Sequence, residues 1–191
     1  SYMKTIIDVG GAGFPNGNER YKQGDRVILF EPIEGPYNDL VNKFIYNTNI
    51  TVHKLALSNV KGQATFYNTK KRNCSSLREP NGELLLSRNR ADIAEYTESV
   101  VDTDLLDNYT KDIDVIDFLK LDTQGSEYEV LKGGLNTLTK TKELKVEVEY
   151  DQWYKGQKIA PEVDEYIQSL GFERYKTNDN KHHADYYYRK I

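Results

Sequence analysis

The chain is poor in sulfur, in long apolar runs and in net charge, and each shortage excludes something. Its one cysteine, Cys74, cannot close an internal disulfide, which makes a reducing, cytoplasmic setting the expectation. As a nucleophile Cys74 would need a partner base that the sequence does not display, so it reads as an unpaired thiol. No apolar run approaches the ~20 residues of a membrane-spanning helix, and no charged-then-apolar order of a signal peptide is read, so no membrane partner is expected. With 26 Lys and Arg against 30 Asp and Glu, the net charge of -4 offers no global attraction to nucleic acid. Any polyanion binding must be local.

What is present is an alternation. Apolar, β-branched runs at "TIIDV" (5–9), "RVILFE" (26–31), "ITVHKLAL" (50–57), "VIDFLKLD" (115–122) and "LKVEVEY" (144–150) read as strands, the first, second and fourth buried on both faces. "EGPYNDLVNKFIYN" (34–47) places Tyr37, Leu40, Val41 and Phe44 at helical spacing behind a first-turn proline. "SEYEVLKGG" runs from acids to a lysine and a glycine pair, and "PEVDEYIQSLGF" (161–172) repeats that logic. Strand and helix in turn imply an α/β, mostly parallel, doubly wound sheet. Residues 171–191 break the pattern with two strand-like runs about "NDNK", so the sheet is expected to close in an antiparallel C-terminal hairpin. The 191 residues suit one domain, 1–191. "GQATFYN" (62–68) reads as a further strand, and residues 69–98 as a polar, irregular insertion rich in Arg and Lys.

In such sheets ligands bind beyond the carboxyl ends of the strands, and here the first strand ends in "IIDVGGAGFPNG", with glycines at 10, 11, 13 and 17. A dinucleotide pattern attempted from Gly11 and Gly13 finds Asn16 at its third glycine, which weighs against a nicotinamide cofactor. Glu31 ends the second strand about twenty residues on, where an acid accepts both hydroxyls of a ribose. That supports a nucleoside ligand without choosing between NAD and S-adenosylmethionine. The closing antiparallel strand turns the choice toward methyl transfer.

Taken in order, "IIDVGGAG", "ILFEP", "KLALSNVKGQATFY", "SSL" and "FLKLDTQGSEYEVLKGG" resemble the FkbM family of S-adenosylmethionine-dependent methyltransferases over essentially the whole chain. The resemblance implies a Rossmann-like class I methyltransferase sheet and O-methylation of a hydroxyl-bearing small molecule, sugar or glycan. It also implies that Asp8, Gly10 and Gly13 shape the methionine pocket, that Glu31 holds the ribose, and that Ala56 and Leu57 lie against the adenine. Ser75 and Ser76 fall in the "SSL" element and by the same resemblance belong to the acceptor site. Two departures stand out: Gln124 where the family pattern usually has Glu, and a glycine turn whose last glycine comes one place early.

Methyl transfer to oxygen needs alignment and a base for the hydroxyl proton, and acids at the ends of adjacent central strands meet that geometry best. Asp122 is therefore the expected catalytic residue, with Glu149 assisting and Glu147 two residues earlier on the same face. The alternative for Asp122 is a strand-end aspartate capping the next helix. Magnesium is conceivable on Asp122, Glu147 and Glu149, but no ligand spacing demands a metal. His53, His182 and His183 form no zinc motif with Cys74.

The first strand begins almost at position 1, so acceptor recognition is expected from core loops. One is the 69–98 insertion, whose Lys70, Lys71, Arg72, Arg78, Arg88 and Arg90 could receive an anion. The other is "DQWYKGQ", where Trp153 and Tyr154 could stack on a sugar face or a base. Against these stand a solvated basic face and a tryptophan packed on the core edge. RNA ribose methylation and a non-catalytic nucleoside-binding module are the rival functions.

Overall fold

A computed structural model describes residues 3–10 and 13–191, so Gly11 of the glycine turn lies outside the described residues. Seven strands form the main sheet: β1 (Thr5–Val9), β2 (Arg26–Phe30), β3 (Ile50–His53), β7 (Ile116–Leu121), β8 (Thr141–Glu149), β9 (Phe172–Asn180) and β10 (His183–Lys190). Their order is β3-β2-β1-β7-β8-β10-β9. All pairs are parallel except β8–β10 and β10–β9, so the sheet is mostly parallel and ends in the antiparallel hairpin that its sequence foretold. Order reverses between β1 and β7, which opens the crevice where ligands of such sheets bind.

The two faces are covered differently. Helices α4 (Glu127–Lys132), α5 (Leu135–Thr139) and α6 (Ala160–Ser169) bring Val130, Leu138, Val163 and Ile167 onto Ile7, Leu119, Val146 and Tyr188. On the other face Ile6, Leu29 and Phe118 meet Phe14 and Tyr21, together with Leu40 of α1 (Glu34–Lys43) and Phe44 just beyond it. No residue of α1 is fully buried, so its apolar stripe is only partly used as core. Further along this second face the cross-strand neighbours are polar: Lys120 lies beside Lys145, Lys145 beside Tyr187 and Glu147 beside Asp185.

The run at 50–57, read as one strand, is two. After His53 the chain turns at Lys54–Leu55, and β4 (Ala56–Leu57) joins a second sheet with β5 (Gly62–Thr69) and β6 (Tyr96–Asp104), in the order β4-β6-β5. Residues 69–98, read as irregular, carry α2 (Gly82–Ser87), α3 (Ala91–Ala94) and the start of β6. They are ordered by a small core in which Cys74, Leu85 and Ile93 pack with Trp153 and Tyr154 from the loop after β8. Among the described residues, no helix is long and apolar enough to cross a membrane.

Candidate active site

A cavity of about 580 Å³ lies at the carboxyl ends of β1, β2 and β7 and is walled on the far side by the second sheet. Val9, Gly10, Glu31, Leu55, Ala56 and Leu57 line one part of it, and Asn73, Ser75, Asp122, Thr123 and Gln124 another. Phe66 and Leu77 pack with Ala56 and Ile33 to make its apolar wall. Of the positions expected from sequence, Gly10, Glu31, Ala56, Leu57, Ser75 and Asp122 therefore share one cavity.

The floor is a backbone crossing. Gly10 has φ +80°, and a Cβ there would stand 1.6 Å from the carbonyl oxygen of Asp122, so only glycine lets β1 and the end of β7 meet. Glu31 spends Oε2 on the Ile33 N–H at 2.8 Å, at the start of α1. Burial raises its pKa, while that backbone bond and the nearby Arg72 oppose the rise. Its other oxygen has no hydrogen-bond partner among the described residues, and the residue lines the cavity.

Asp122 and its neighbours form the most charged part of the site. Gln124 Nε2 donates to Asp122 Oδ1 at 2.7 Å, and the Tyr154 hydroxyl lies 3.0 Å from Gln124 Oε1. Gln124 holds a left-handed backbone, φ +55°, and its carbonyl accepts from the Ser76 hydroxyl at 2.6 Å. The next residue, Gly125, abuts the Tyr154 ring, where a Cβ would come within 2.9 Å. Glu127 caps the turn, accepting from Gly125 N–H at 3.0 Å and from the Thr123 hydroxyl at 2.9 Å.

Carboxylates crowd behind this turn. Burial, then the charge of Asp122, pushes Glu127 up to about 7. Glu147 is in hydrogen-bond contact with Asp122, and burial followed by Asp122, Glu149 and Glu127 pushes it up to about 10. Asp122 is itself raised by burial, against Lys120 and its hydrogen bonds. Two acids this close cannot both ionise cheaply, so the charge of Asp122 favours the protonated form of Glu147. Among the described residues no group of His, Cys, Asp or Glu has a metal-binding arrangement.

The other expected site residues lie off the cavity. Glu149 is buried and accepts from Gln157 Nε2 at 2.7 Å, so it is Glu147 that touches Asp122. Trp153 and Tyr154 are buried in the insertion's core, the tryptophan with the Arg90 guanidinium 5.6 Å from its ring centroid. Ser76 is fully buried and serves the 124 turn. Asp8 is buried and accepts from Asn18 Nδ2 at 2.9 Å, and the Gly13 carbonyl accepts from Gly17 N–H at 3.0 Å. Burial pushes the Cys74 thiol up to about 11, which leaves no thiolate to act as a nucleophile.

Three arginines of the basic insertion are paired with acids, two of them outside it. Arg88 pairs with Asp151 at 2.6 Å, Arg90 with Asp92 at 3.1 Å, and Arg78 with Glu129. Arg72 lines the cavity. Sequence reasoning missed Glu127 and Thr123, and saw Gln124 only as a departure. All three stand within the segment that carried the resemblance, where the helix start after Asp122 was the available signal.

Residues 11–174 match the family model described as Methyltransferase FkbM domain. No curated protein sequence matches the chain. Among solved structures, the Methanococcus jannaschii fibrillarin pre-rRNA processing protein has a TM-score of 0.56 at 12% identity, covering 98% of this chain and 66% of that one. Magnesium protoporphyrin IX methyltransferase from Synechocystis PCC 6803 with bound SAM gives 0.53 at 11% identity, covering 99% and 71%. The N-terminal domain of EvdMO1, solved in the presence of SAH and D-fucose, gives 0.50 at 8% identity, covering 98% and 76%. The chain thus spans between about two thirds and three quarters of these structures' lengths, and the likeness establishes the fold.

Proposed function

The chain belongs to the Methyltransferase FkbM domain family of S-adenosylmethionine-dependent enzymes, and we propose that it methylates a hydroxyl oxygen of a sugar, glycan or related small molecule. One observation carries the reading. A single cavity joins Glu31 and the apolar pair Ala56–Leu57 to Asp122, which supports a reading in which an acid for the ribose, an apolar wall for the adenine and a strand-end base face the same space. The fit to the cofactor rests on three features: the available Glu31 oxygen, the close backbone approach at Gly10 and the apolar lining from Phe66, Leu77 and Ile33.

When bound, S-adenosylmethionine supplies an electrophilic methyl group on a sulfonium. Asp122 is the catalytic residue of the proposal: it takes the proton that the acceptor hydroxyl loses, help worth typically ~10² to 10⁴-fold. Glu147, raised by burial and by the charge of Asp122, is the hydrogen-bonding neighbour that favours the Asp122 carboxylate, and in this proposal it takes the assisting part first expected of Glu149. Ser75, at the cavity, is the acceptor-side contact of the proposal, while Ser76, Trp153 and Tyr154 support the turn and the insertion from behind. That one structural neighbour was solved in the presence of D-fucose supports a sugar acceptor. The internal pairing of Arg78, Arg88 and Arg90 weighs against RNA, whose phosphates need unpaired cations.

Calorimetric titration with S-adenosylhomocysteine, followed by a methyl-transfer screen over sugars, glycosides and oligonucleotides, tests the proposal. Micromolar cofactor binding with transfer to a sugar hydroxyl is expected. Transfer to oligonucleotide alone, or binding without transfer to any hydroxyl, would overturn it.

A further inference from the structure

Tyr154 carries one phenolic proton, and two oxygens lie within reach of it: the Cys74 carbonyl at 2.8 Å and Gln124 Oε1 at 3.0 Å. The Cys74 carbonyl can only accept. When the phenol donates there, the phenol oxygen faces Gln124 as an acceptor. On its other side the same amide meets Asp122 Oδ1 at 2.7 Å. Half a turn about the last side-chain torsion exchanges amide oxygen and nitrogen, so the trio has two self-consistent arrangements.

In the first, Asp122 is a carboxylate, the amide NH₂ donates to it, and the phenol proton is divided between Cys74 and the amide oxygen. In the second, Asp122 carries a proton and donates it to the amide oxygen. The NH₂ then donates to the phenol oxygen, and the phenol proton goes wholly to Cys74. The backbone stays fixed in both, since the Gln124 carbonyl is held by Ser76 and the Tyr154 ring abuts Gly125.

We propose that Gln124 is a positioning residue whose side-chain amide turns over as Asp122 gains or loses a proton, with the Tyr154 hydroxyl as the fixed reference that accepts it in the protonated state. The functional side of this rests on the reading of Asp122 as the base. The proton leaving the acceptor hydroxyl goes to the Asp122 carboxylate, the amide turns to receive the new O–H, and the proton later leaves to solvent water as the amide turns back. A glutamate at 124 would bring one more acid against Asp122 beside Glu147 and, when ionised, could only accept, where the amide offers both a donor and an acceptor. The charges around Asp122 are Lys120 on its own strand, Glu147 and Glu149 from β8, Asp185 from β10 and Glu127 from α4, with Cys74 and Tyr154 nearby. Of these, Tyr154 is the one hydrogen-bonded to the Gln124 side chain.

The test is an NMR titration of aspartate labelled with ¹³C at the side-chain carboxyl, with the Asp122 signal assigned by its loss in Asp122→Asn. A turning amide gives the protonated state two full bonds through the phenol, so Tyr154→Phe lowers the Asp122 pKa by about one unit, the size of one net hydrogen bond. An amide locked as donor to the carboxylate would be released by the same substitution, and the pKa would rise. Gln124→Met gives a second reading that leaves the buried ring untouched. A turning amide supports both protonation states, so its removal moves the pKa by less than about half a unit. A locked donor supports only the carboxylate, and its removal raises the pKa by about a unit or more. A rise in either variant overturns the proposal. Both readings are taken without any methyl acceptor, so failure of the hydroxyl-methylation reading would leave them standing.

Discussion

Gly10 and Asp122 meet backbone to backbone, closely enough that a Cβ on the first would stand 1.6 Å from the carbonyl oxygen of the second. Gly10→Ala must therefore strain a left-handed residue and push apart the ends of β1 and β7. Denaturant unfolding is expected to show a loss of about 2 to 4 kcal/mol, with weaker S-adenosylhomocysteine binding in whatever remains folded. An alanine variant of unchanged stability would mean that the two strand ends do not touch.

Glu31 divides its carboxylate between Ile33 and the cavity. Glu31→Ala is expected to weaken S-adenosylhomocysteine binding roughly ten- to a hundredfold, as one or two charge-assisted hydrogen bonds are lost. Glu31→Gln should fall between alanine and the parent. Equal affinities in all three, measured by calorimetry, would remove the ribose from this position.

Asp122→Asn keeps the shape of the side chain and removes its basicity. Turnover is expected to drop by about 10² to 10⁴-fold while S-adenosylhomocysteine affinity changes by less than about threefold. Lost affinity with turnover retained at saturation would make Asp122 a cofactor residue instead.

Stability should fall as pH rises. Glu127 and Glu147 have folded pKa values raised from 4.5 to about 7 and about 10, so the folded chain binds protons that the unfolded chain has already released. Their contribution is complete below about pH 4.5 and is lost progressively as pH climbs through those values. Melting temperature is expected to decline from pH 5 to 9, and Glu147→Gln to flatten the alkaline part and add about 1 to 3 kcal/mol at pH 9. A melting temperature that climbs over this range would contradict the buried acid cluster.

Arg78 clamps three segments, donating to the Gly125 carbonyl at 3.0 Å, the Lys155 carbonyl at 3.1 Å and the Glu129 carboxylate. Lysine cannot reproduce that fork, so Arg78→Lys should cost nearly as much as Arg78→Ala, about 1 to 3 kcal/mol in denaturant unfolding. Full rescue by lysine would reduce Arg78 to a simple charge.

The main sheet was legible because its strands are buried on both faces and its helices end at glycines, as with Leu170–Gly171 after α6. The small sheet was harder to see. β6 spells "YTESVVDTD" and buries only Val101, Thr103 and Asp104, so its apolar signal is faint. The break at Lys54–Leu55 carries neither glycine nor proline, and the run looked continuous. In the site, strand ends located Asp122 and Glu31, since strand position alone fixes them. Trp153 and Tyr154 were ambiguous for the opposite reason: a loop aromatic buries or stacks according to partners far away in sequence, here Leu85, Ile93 and Cys74.

The hairpin that closes the main sheet leaves β9 outermost, with one side of a nine-residue backbone unpaired in the sheet. Glu173, Arg174, Lys176 and Asp179 spread charges of both signs along it, and all four are exposed. A neighbouring molecule arriving as an added strand would have to desolvate those charges before gaining a ladder of hydrogen bonds. The strand that completes the fold thereby also guards the molecule against edge-to-edge aggregation.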